Sequence, residues 1–564
     1  MKKDKGTVMV RCPFDAKKTD AEYEIYRDFN VRAERFVNQM LDGHKPLQYR
    51  DIKVIHDPVW GTIKFYPWEL QLLDSPLLQR LRNINQLGLA VLTYPSAHHS
   101  RFEHTLGVAA LVTRMVDSIN DGHRVVTKSD LNKMRLAAVL HDVGHCFFSH
   151  LSERMYGNTE IFRTLKESFE IFASAQPHEI MAYIIINTER FKEFFKDEID
   201  YPEQVDADVI LEDIGRMIVG AEIDRVEDVN GVPTKKCYLT EMINGQFDAD
   251  SLDYLRRDSY ITGLSLTYHI DRFLYKIKMI DRGLELDEIS VRERHLTVPI
   301  SGVSTVEEMI FGKQMLTRYI YQHQKVLAAD ALVYDVVGGL RNNGKLQHPC
   351  DFLYYCDDDI YKIYDESGDP DLTVPAGRMS VHEDSGKKIS DVVKQIKNRD
   401  LPKKALVINM ANVKPKDGKA MTIGDAYCNV YAAIMSGGFR KEVRDEAWRI
   451  CDKLGLDKQK IDLFDIFYSV PKPSTAKNYT DVRVATHDGS LIELSEVADL
   501  NDWANEFSGR SWNAYVFSAS EMLPVVSVAA KNVLESRGVH FNENRIFANL
   551  KHFAEIESLI KKMS

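Results

Sequence analysis

The stretch that decides the reading is Leu136-Ala137-Ala138-Val139-Leu140-His141-Asp142-Val143-Gly144-His145-Cys146-Phe147-Phe148-Ser149-His150-Leu151-Ser152-Glu153. An apolar run of helical character ends in a His-Asp pair, and two further histidines and a glutamate follow closely. Upstream lies His98-His99-Ser100-Arg101-Phe102-Glu103-His104. Six of the chain's 18 histidines fall between residues 98 and 153, where uniform scatter over 564 positions would place about two. Imidazole and carboxylate donors at this density suit a divalent first-row metal, because a neutral His and an ionised Asp coexist near neutral pH. If the helix continues through the pair, His141 and Asp142 are neighbours and His145 sits one turn on, over His141. His104 then supplies a ligand from the preceding helix.

The dipeptide His-Asp alone carries little, since it occurs at residues 56, 141 and 487. His56-Asp57-Pro58 reads as an extended or turn segment, because the residue before proline is pushed out of the helical region. His487-Asp488-Gly489 reads as a turn. Only the pair at 141 closes an apolar helix and is followed by His145, His150 and Glu153. The competing reading there is a polar helix end.

The pattern of a His, then His-Asp, then a distant Asp resembles the HD-domain metallophosphohydrolases. A sharper likeness lies in Asp74-Ser75-Pro76-Leu77-Leu78-Gln79-Arg80-Leu81-Arg82-Asn83-Ile84-Asn85-Gln86-Leu87-Gly88, followed by Tyr94-Pro95 and Arg101-Phe102-Glu103-His104-Thr105-Leu106-Gly107. These segments resemble deoxynucleoside triphosphate triphosphohydrolases, the group that includes the vertebrate sterile-alpha-motif and HD-domain enzymes and their bacterial relatives. The likeness continues through Phe247-Asp248-Ala249-Asp250-Ser251-Leu252-Asp253-Tyr254-Leu255-Arg256-Arg257-Asp258, Tyr321-Gln322-His323 and Lys397 to Lys403, covering about residues 51 to 415.

The resemblance implies a metal-dependent hydrolysis of deoxynucleoside triphosphates to deoxynucleoside and inorganic triphosphate, with attack at the α-phosphate. It implies one divalent ion held by His104, His141, Asp142 and Asp250. Mn, Fe, Co, Ni and Mg all fit, and two imidazoles lean toward a transition metal. His145, His150, Glu153 and His178 are implied as the acid and phosphate-contacting cluster, His145 first; for His178 a helix-capping role is the alternative. Gln86, Leu87, Arg101, Tyr254, Asp258, Lys313, Tyr321 and Gln322 are implied at the substrate. Ser251 stands where the vertebrate enzymes have a phosphate-binding Lys, and Lys313 replaces an Arg, losing a two-pronged grip. A nucleotide-activating site between subunits is implied by Lys53, Asp74, Gln79, Arg82, Arg272, Arg399 and Lys403, although His56 replaces the family's Asn there. A buried Asp–Arg bridge is the structural alternative for the Asp74, Gln79, Arg82 set. A homodimer or homotetramer follows from the same resemblance.

Composition sets outer limits. At 44% hydrophobic and 28% charged the chain is an ordinary globular protein, and a net charge of −11 disfavours, without excluding, nucleic acid as a partner. Seven cysteines without a CxxC pair read as free thiols in a reducing compartment. No apolar run approaches the length of about 18 residues that suggests a membrane span, and the start lacks a signal peptide's apolar core, so a cytoplasmic address is expected.

The expected fold class is mainly α: an HD-domain helical bundle with a smaller mixed α/β C-terminal region. Four segments are expected. Residues 1–50 form an N-terminal arm and a helix from Asp20 to Leu41. Residues 51–345 form the phosphohydrolase core, opening with a short hairpin over Lys53 to Phe65 and then helical, including Thr105 to Ile119, Lys133 to Leu140 and Gln314 to Leu340, with strands rare. Residues 346–415 form a family-like lobe with a strand at Leu406 to Met410. Residues 416–564 form an α+β tail of unknown role, with a linker or exposed turn over Lys414 to Lys419. Two other functions compete: a phosphodiesterase or nuclease on cyclic nucleotides or nucleic acid, and a nucleotide-sensing regulator without turnover.

Overall fold

Two capped helix starts frame the site. Ser100 accepts from the backbone at Glu103 while the Glu103 carboxylate reaches back to the Ser100 amide, opening the helix Arg101–Ile119. Thr127 and Asp130 do the same for Lys128–Leu140. Each such cap contributes about 1 kcal/mol by satisfying amides that the helix cannot. In the computed structural model, residues 20–563 are described except 122–124, 224, 230–231, 267, 287–288, 363–388, 416–420, 474–481, 489, 499–505, 508, 544 and 549. The N-terminal arm and most of the expected linker at 414–419 lie outside the described residues.

The helix Arg101–Ile119 packs on Lys128–Leu140 and on Ala249–Thr262, while Asp20–Leu41 packs across Pro177–Ile186, Glu160–Ser168 and Glu189–Glu198. One continuous apolar core runs through these helices, with Leu111, Leu136, Val139 and Leu252 fully buried. The hairpin Lys53–Asp57 with Gly61–Phe65 forms in the expected place. The chain is mainly α with a smaller mixed sheet region, as its patterning indicates. No helix of the described residues is long and apolar enough to cross a membrane.

The core departs from an all-helical bundle in one respect. Lys278–Leu286 and Ile289–Pro299 form an antiparallel hairpin, and Ile289–Pro299 also pairs in parallel with Val232–Lys235 and with Arg483–Ala485. The alternation was hard to see because the inward residues of this strand are Val291, Glu293, His295 and Thr297, mostly polar yet buried. A second, three-stranded antiparallel sheet joins Lys403–Ile408 to Ala514–Ser518 and Ile466–Ser469. Strand pairing therefore crosses both residue 345 and residue 415. The run from Gln314 to Leu340 is two helices, Val303–Leu316 and Gln324–Asn342, separated by a π-turn over Thr317–Tyr321.

Candidate active site

Leu140 is the last helical residue, and His141 to Gly144 form a turn, so His145 is not stacked one helical turn above His141. The turn instead swings Asp142 between two groups of histidines. On one side, His104 Nε2 lies 2.9 Å from Asp250 Oδ1, 3.4 Å from His141 Nε2 and 3.9 Å from Asp142 Oδ2. His141 Nε2 is 3.4 Å from Asp142 Oδ1. Neighbouring ligands of a first-row ion bound at about 2.1 Å stand about 3 to 3.5 Å apart; donor atoms of His104, His141 and Asp250 lie within 4.8 Å of one another, and Asp142 stands beside this trio. Their tautomers agree: His104 Nδ1 is 2.7 Å from Asp253 and His141 Nδ1 is 2.8 Å from the Ala138 carbonyl. With both Nδ1 hydrogens donated to oxygen, the two Nε2 atoms are left facing each other, 3.4 Å apart, as the positions open to an ion.

Electrostatics match a cation site. Burial alone would lower the His104 imidazole, but Asp250 and Asp253 raise it to about 10. Burial would raise Asp142, yet Arg101, His141 and His104 hold its carboxyl well below the ordinary range. Asp250 is held down against burial chiefly by His104.

Behind His104 stands a buried relay that sequence reading did not assign. Asp253 takes the His104 proton on Oδ2, accepts the Trp60 indole N–H at 2.5 Å, and is gripped by Arg257 Nε at 2.8 Å and Nη2 at 3.0 Å. Arg257 Nη1 then donates to Asp57 at 2.8 Å, and Asp57 also accepts from the Val59 and Trp60 amides. The hairpin is thereby bolted to the Ala249–Thr262 helix through His104's orienting carboxylate. The available signal was Asp253 and Arg257 at i, i+4 spacing inside a stretch already singled out.

On the other side of Asp142, His145 and His178 stack with ring centroids 3.9 Å apart. Glu153 holds His150 Nδ1 at 2.5 Å and stands 3.2 Å from His178 Nδ1. The local backbone is forced: Phe148 and Ser149 have φ of 52° and 54°, and the Phe148 amide is secured by Asp357 at 2.6 Å. Such conformations cost about 1–3 kcal/mol each and persist where surroundings impose them. Burial, then Arg101 and His178, push His145 well below its ordinary value. Burial also lowers His178, but Glu153 overrides it and raises the imidazole to about 9. At neutral pH His178, not His145, carries the proton.

Gly144 lets the Pro177–Ile186 helix approach this turn: a Cβ there would stand 2.1 Å from the His178 carbonyl and 2.6 Å from the Ala182 amide. Gly144→Ala is expected to push that helix away and separate the His145–His178 stack. A destabilisation of about 1–3 kcal/mol in urea unfolding, typical of overpacking, is the measurement that checks it.

The remaining sequence candidates fall into three groups. Arg101 clamps Asp142 through Nη1 at 3.0 and 3.1 Å and Ser149 through Nε at 3.0 Å, leaving buried Nη2 without a hydrogen-bond partner among the described residues. Asp258 accepts from the Tyr321 hydroxyl at 2.7 Å and meets His99 Nε2 at 2.8 Å, a histidine not assigned from sequence. The Lys313 ammonium lies 5.9 Å from the Tyr254 ring centroid. Gln86 is buried with Oε1 unpartnered among the described residues, and Leu87 is half-buried beside it. Gln322 turns away, donating to the Lys472 carbonyl at 3.0 Å. Asp74 accepts from the Tyr49 hydroxyl and Arg82 donates to Gln79 at 2.7 Å, so the alternative Asp74–Arg82 bridge is not formed. Lys53, Arg82, Arg272, Arg399 and Lys403 are exposed, and none pairs with a carboxylate among the described residues. Cys146 is a packing residue, its Sγ directed at the Gly144 carbonyl.

Residues 101–220 match the HD domain family. The chain is 29% identical over 290 residues to the deoxynucleoside triphosphate triphosphohydrolase SAMHD1 of Danio rerio, covering 48% of this chain and 42% of that protein. The Homo sapiens SAMHD1 is 28% identical over 293 residues, covering 50% and 44%. The uncharacterized protein YwfO of Bacillus subtilis is 30% identical over 288 residues, covering 50% and 55%. The chain thus spans about half the length of the curated relatives it matches.

Proposed function

For a chain that carries an HD domain of the phosphohydrolase type, we propose metal-dependent hydrolysis of deoxynucleoside triphosphates to deoxynucleoside and inorganic triphosphate. The observation that carries this is the convergence of His104 Nε2, His141 Nε2, Asp142 and Asp250 with both Nδ1 atoms already committed to oxygen acceptors. The activity for which the SAMHD1 relatives are named supplies the substrate class. A bound divalent ion would lower the pKa of water and polarise a phosphoryl oxygen.

The chain's own groups do the rest. Arg101 holds Asp142 in place and offers Nη2 to a phosphate oxygen. The leaving 5′ oxygen needs a proton; His178, kept charged by Glu153, is the donor this geometry favours, with His150 sharing the same carboxylate. Asp258, fixed by Tyr321 and His99, presents a rigid wall to the sugar. Activation by a nucleotide at Lys53, Asp74, Gln79, Arg82, Arg272, Arg399 and Lys403, in a homo-oligomer, belongs to the same proposal; it is supported by the exposed, carboxylate-free cations among them.

The test is incubation with the four deoxynucleoside triphosphates and Mn or Mg, singly and mixed, with products separated by ion exchange. Deoxynucleoside and triphosphate are expected, and turnover confined to mixtures would add activation. Deoxynucleoside monophosphate and pyrophosphate would contradict the reading.

A pH profile follows. His178's value of about 9 lies above its ordinary 6.5, so the protonated form and its stabilising contact with Glu153 are fully present below about 6.5 and lost as pH rises through about 9. Turnover should therefore fall on a basic limb near pH 9, and Glu153→Gln should move that limb downward.

A further inference from the structure

A second cluster of metal-ligating side chains lies outside the residues of the active site. Val232–Lys235 pairs in parallel with Ile289–Pro299, setting Lys235 opposite Glu293. Two residues further along each chain, this register brings Cys237 alongside His295. Cys237 opens the short helix Tyr238–Glu241, and ligand atoms of Cys237, Glu293 and His295 all lie within 4.8 Å of one another. We propose that Cys237, Glu293 and His295 form a second metal centre that takes zinc, with three protein ligands and one position left to water.

The support is geometric. His295 is 6% exposed and Glu293 9%, an unusual pair for the inward face of a strand unless something compensates them. His295 Nδ1 is 2.7 Å from Glu241 Oε1, whose other oxygen accepts the Leu296 amide at 2.7 Å. Glu241 thus orients the ring, and its oxygens are not among the clustered donor atoms. His295 Nε2, 3.4 Å from Glu293 Oε2, remains as the donor. This repeats, on different elements, the way Asp253 fixes His104, and a carboxylate on the far ring nitrogen is the usual support of a metal-bound histidine.

The neighbouring cations have carboxylate partners of their own: Lys235, which also feels the charges of Cys237 and Glu293, pairs with Glu222, while Arg292 and Arg294 pair with Asp281. Thiolate, imidazole and carboxylate together select zinc over magnesium or calcium. The centre would pin the hairpin to the segment that leads into the Ala249–Thr262 helix, which carries Asp250 and Asp253. It stands or falls independently of the proposed hydrolysis.

Cobalt(II) reports it directly, because a thiolate ligand gives a near-ultraviolet sulfur-to-metal charge-transfer band that the nitrogen and oxygen donors of the active site cannot. The other nearby candidate, Cys146, is buried, and its thiol is pushed up to about 12. The full-length protein loaded with cobalt should show the band, as should the His141→Ala, Asp142→Ala double variant. Cys237→Ser should lose the band together with about one equivalent of cobalt. Glu241→Gln should keep the band but weaken cobalt binding by about 10- to 100-fold. No band at saturating cobalt in either the wild-type protein or the double variant would overturn the proposal. So would equal cobalt content in the wild type and Cys237→Ser.

Discussion

Gly107→Ala is expected to lose most of its active-site metal and about 3–5 kcal/mol of stability, although the residue touches neither substrate nor ion. An added Cβ would fall 1.9 Å from Asp253 Oδ1 and 2.4 Å from Arg257 Nη2. Both partners are essentially dry, with Asp253 at 0% and Arg257 at 1% exposure. Neither can retreat into water, and both are held from several directions by Trp60, Asp57 and His104. Opening a buried ion pair leaves uncompensated charge, which accounts for the size of the effect. His104 then loses the acceptor that fixes its tautomer. Urea unfolding and metal content measured on the same preparation check it; near wild-type stability with full metal content would show that the relay does not orient the site.

Asp142→Ala is expected to abolish turnover, by about a thousandfold or more, since the ion supplies several kcal/mol of transition-state stabilisation. A second cost accompanies it. Asp142 is the counter-charge for Arg101, itself 3% exposed, so removal strands a buried guanidinium. Stability should fall by about 3–5 kcal/mol, in contrast to the milder His141→Ala, which leaves no unpaired charge. Asp142→Asn separates the roles: its side chain still hydrogen-bonds Arg101 while lacking the negative charge that binds the ion. Partial recovery of stability, from the restored hydrogen bond alone, without recovered turnover is the expected outcome for Asn, read from thermal unfolding and steady-state rates.

The sequence made legible what depends on residue type and local spacing. His104, His141, Asp142 and Asp250 stand out by type and by likeness to a family, and the fold sets His104, His141 and Asp250 within reach of one another with Asp142 alongside; the hairpin at Lys53 and the helix at Asp20 follow from patterning. What was hidden depends on long-range geometry. Asp57 read as a turn residue, and only the fold reveals that it anchors Arg257 from 200 positions away. The strand Ile289–Pro299 was masked by its buried Glu293 and His295, since apolar alternation is the signal a strand normally shows. The break after Leu140 and the close approach of the Pro177–Ile186 helix at Gly144 are tertiary features that local propensity does not encode. The opposite shifts of His178, upward, and His145, downward, rest on Glu153 and burial, which no spacing in the chain expresses.

The most direct test of the central claim is hydrolysis of a deoxynucleoside triphosphate in oxygen-18 water with the metal-loaded protein, followed by mass spectrometry of both products. Attack at the α-phosphorus with cleavage of its bond to the 5′ oxygen puts one label into triphosphate and none into deoxynucleoside, and the account predicts this result, lost in His141→Ala. Label in the deoxynucleoside, labelled monophosphate with pyrophosphate, or no product from protein shown to hold its metal would contradict it.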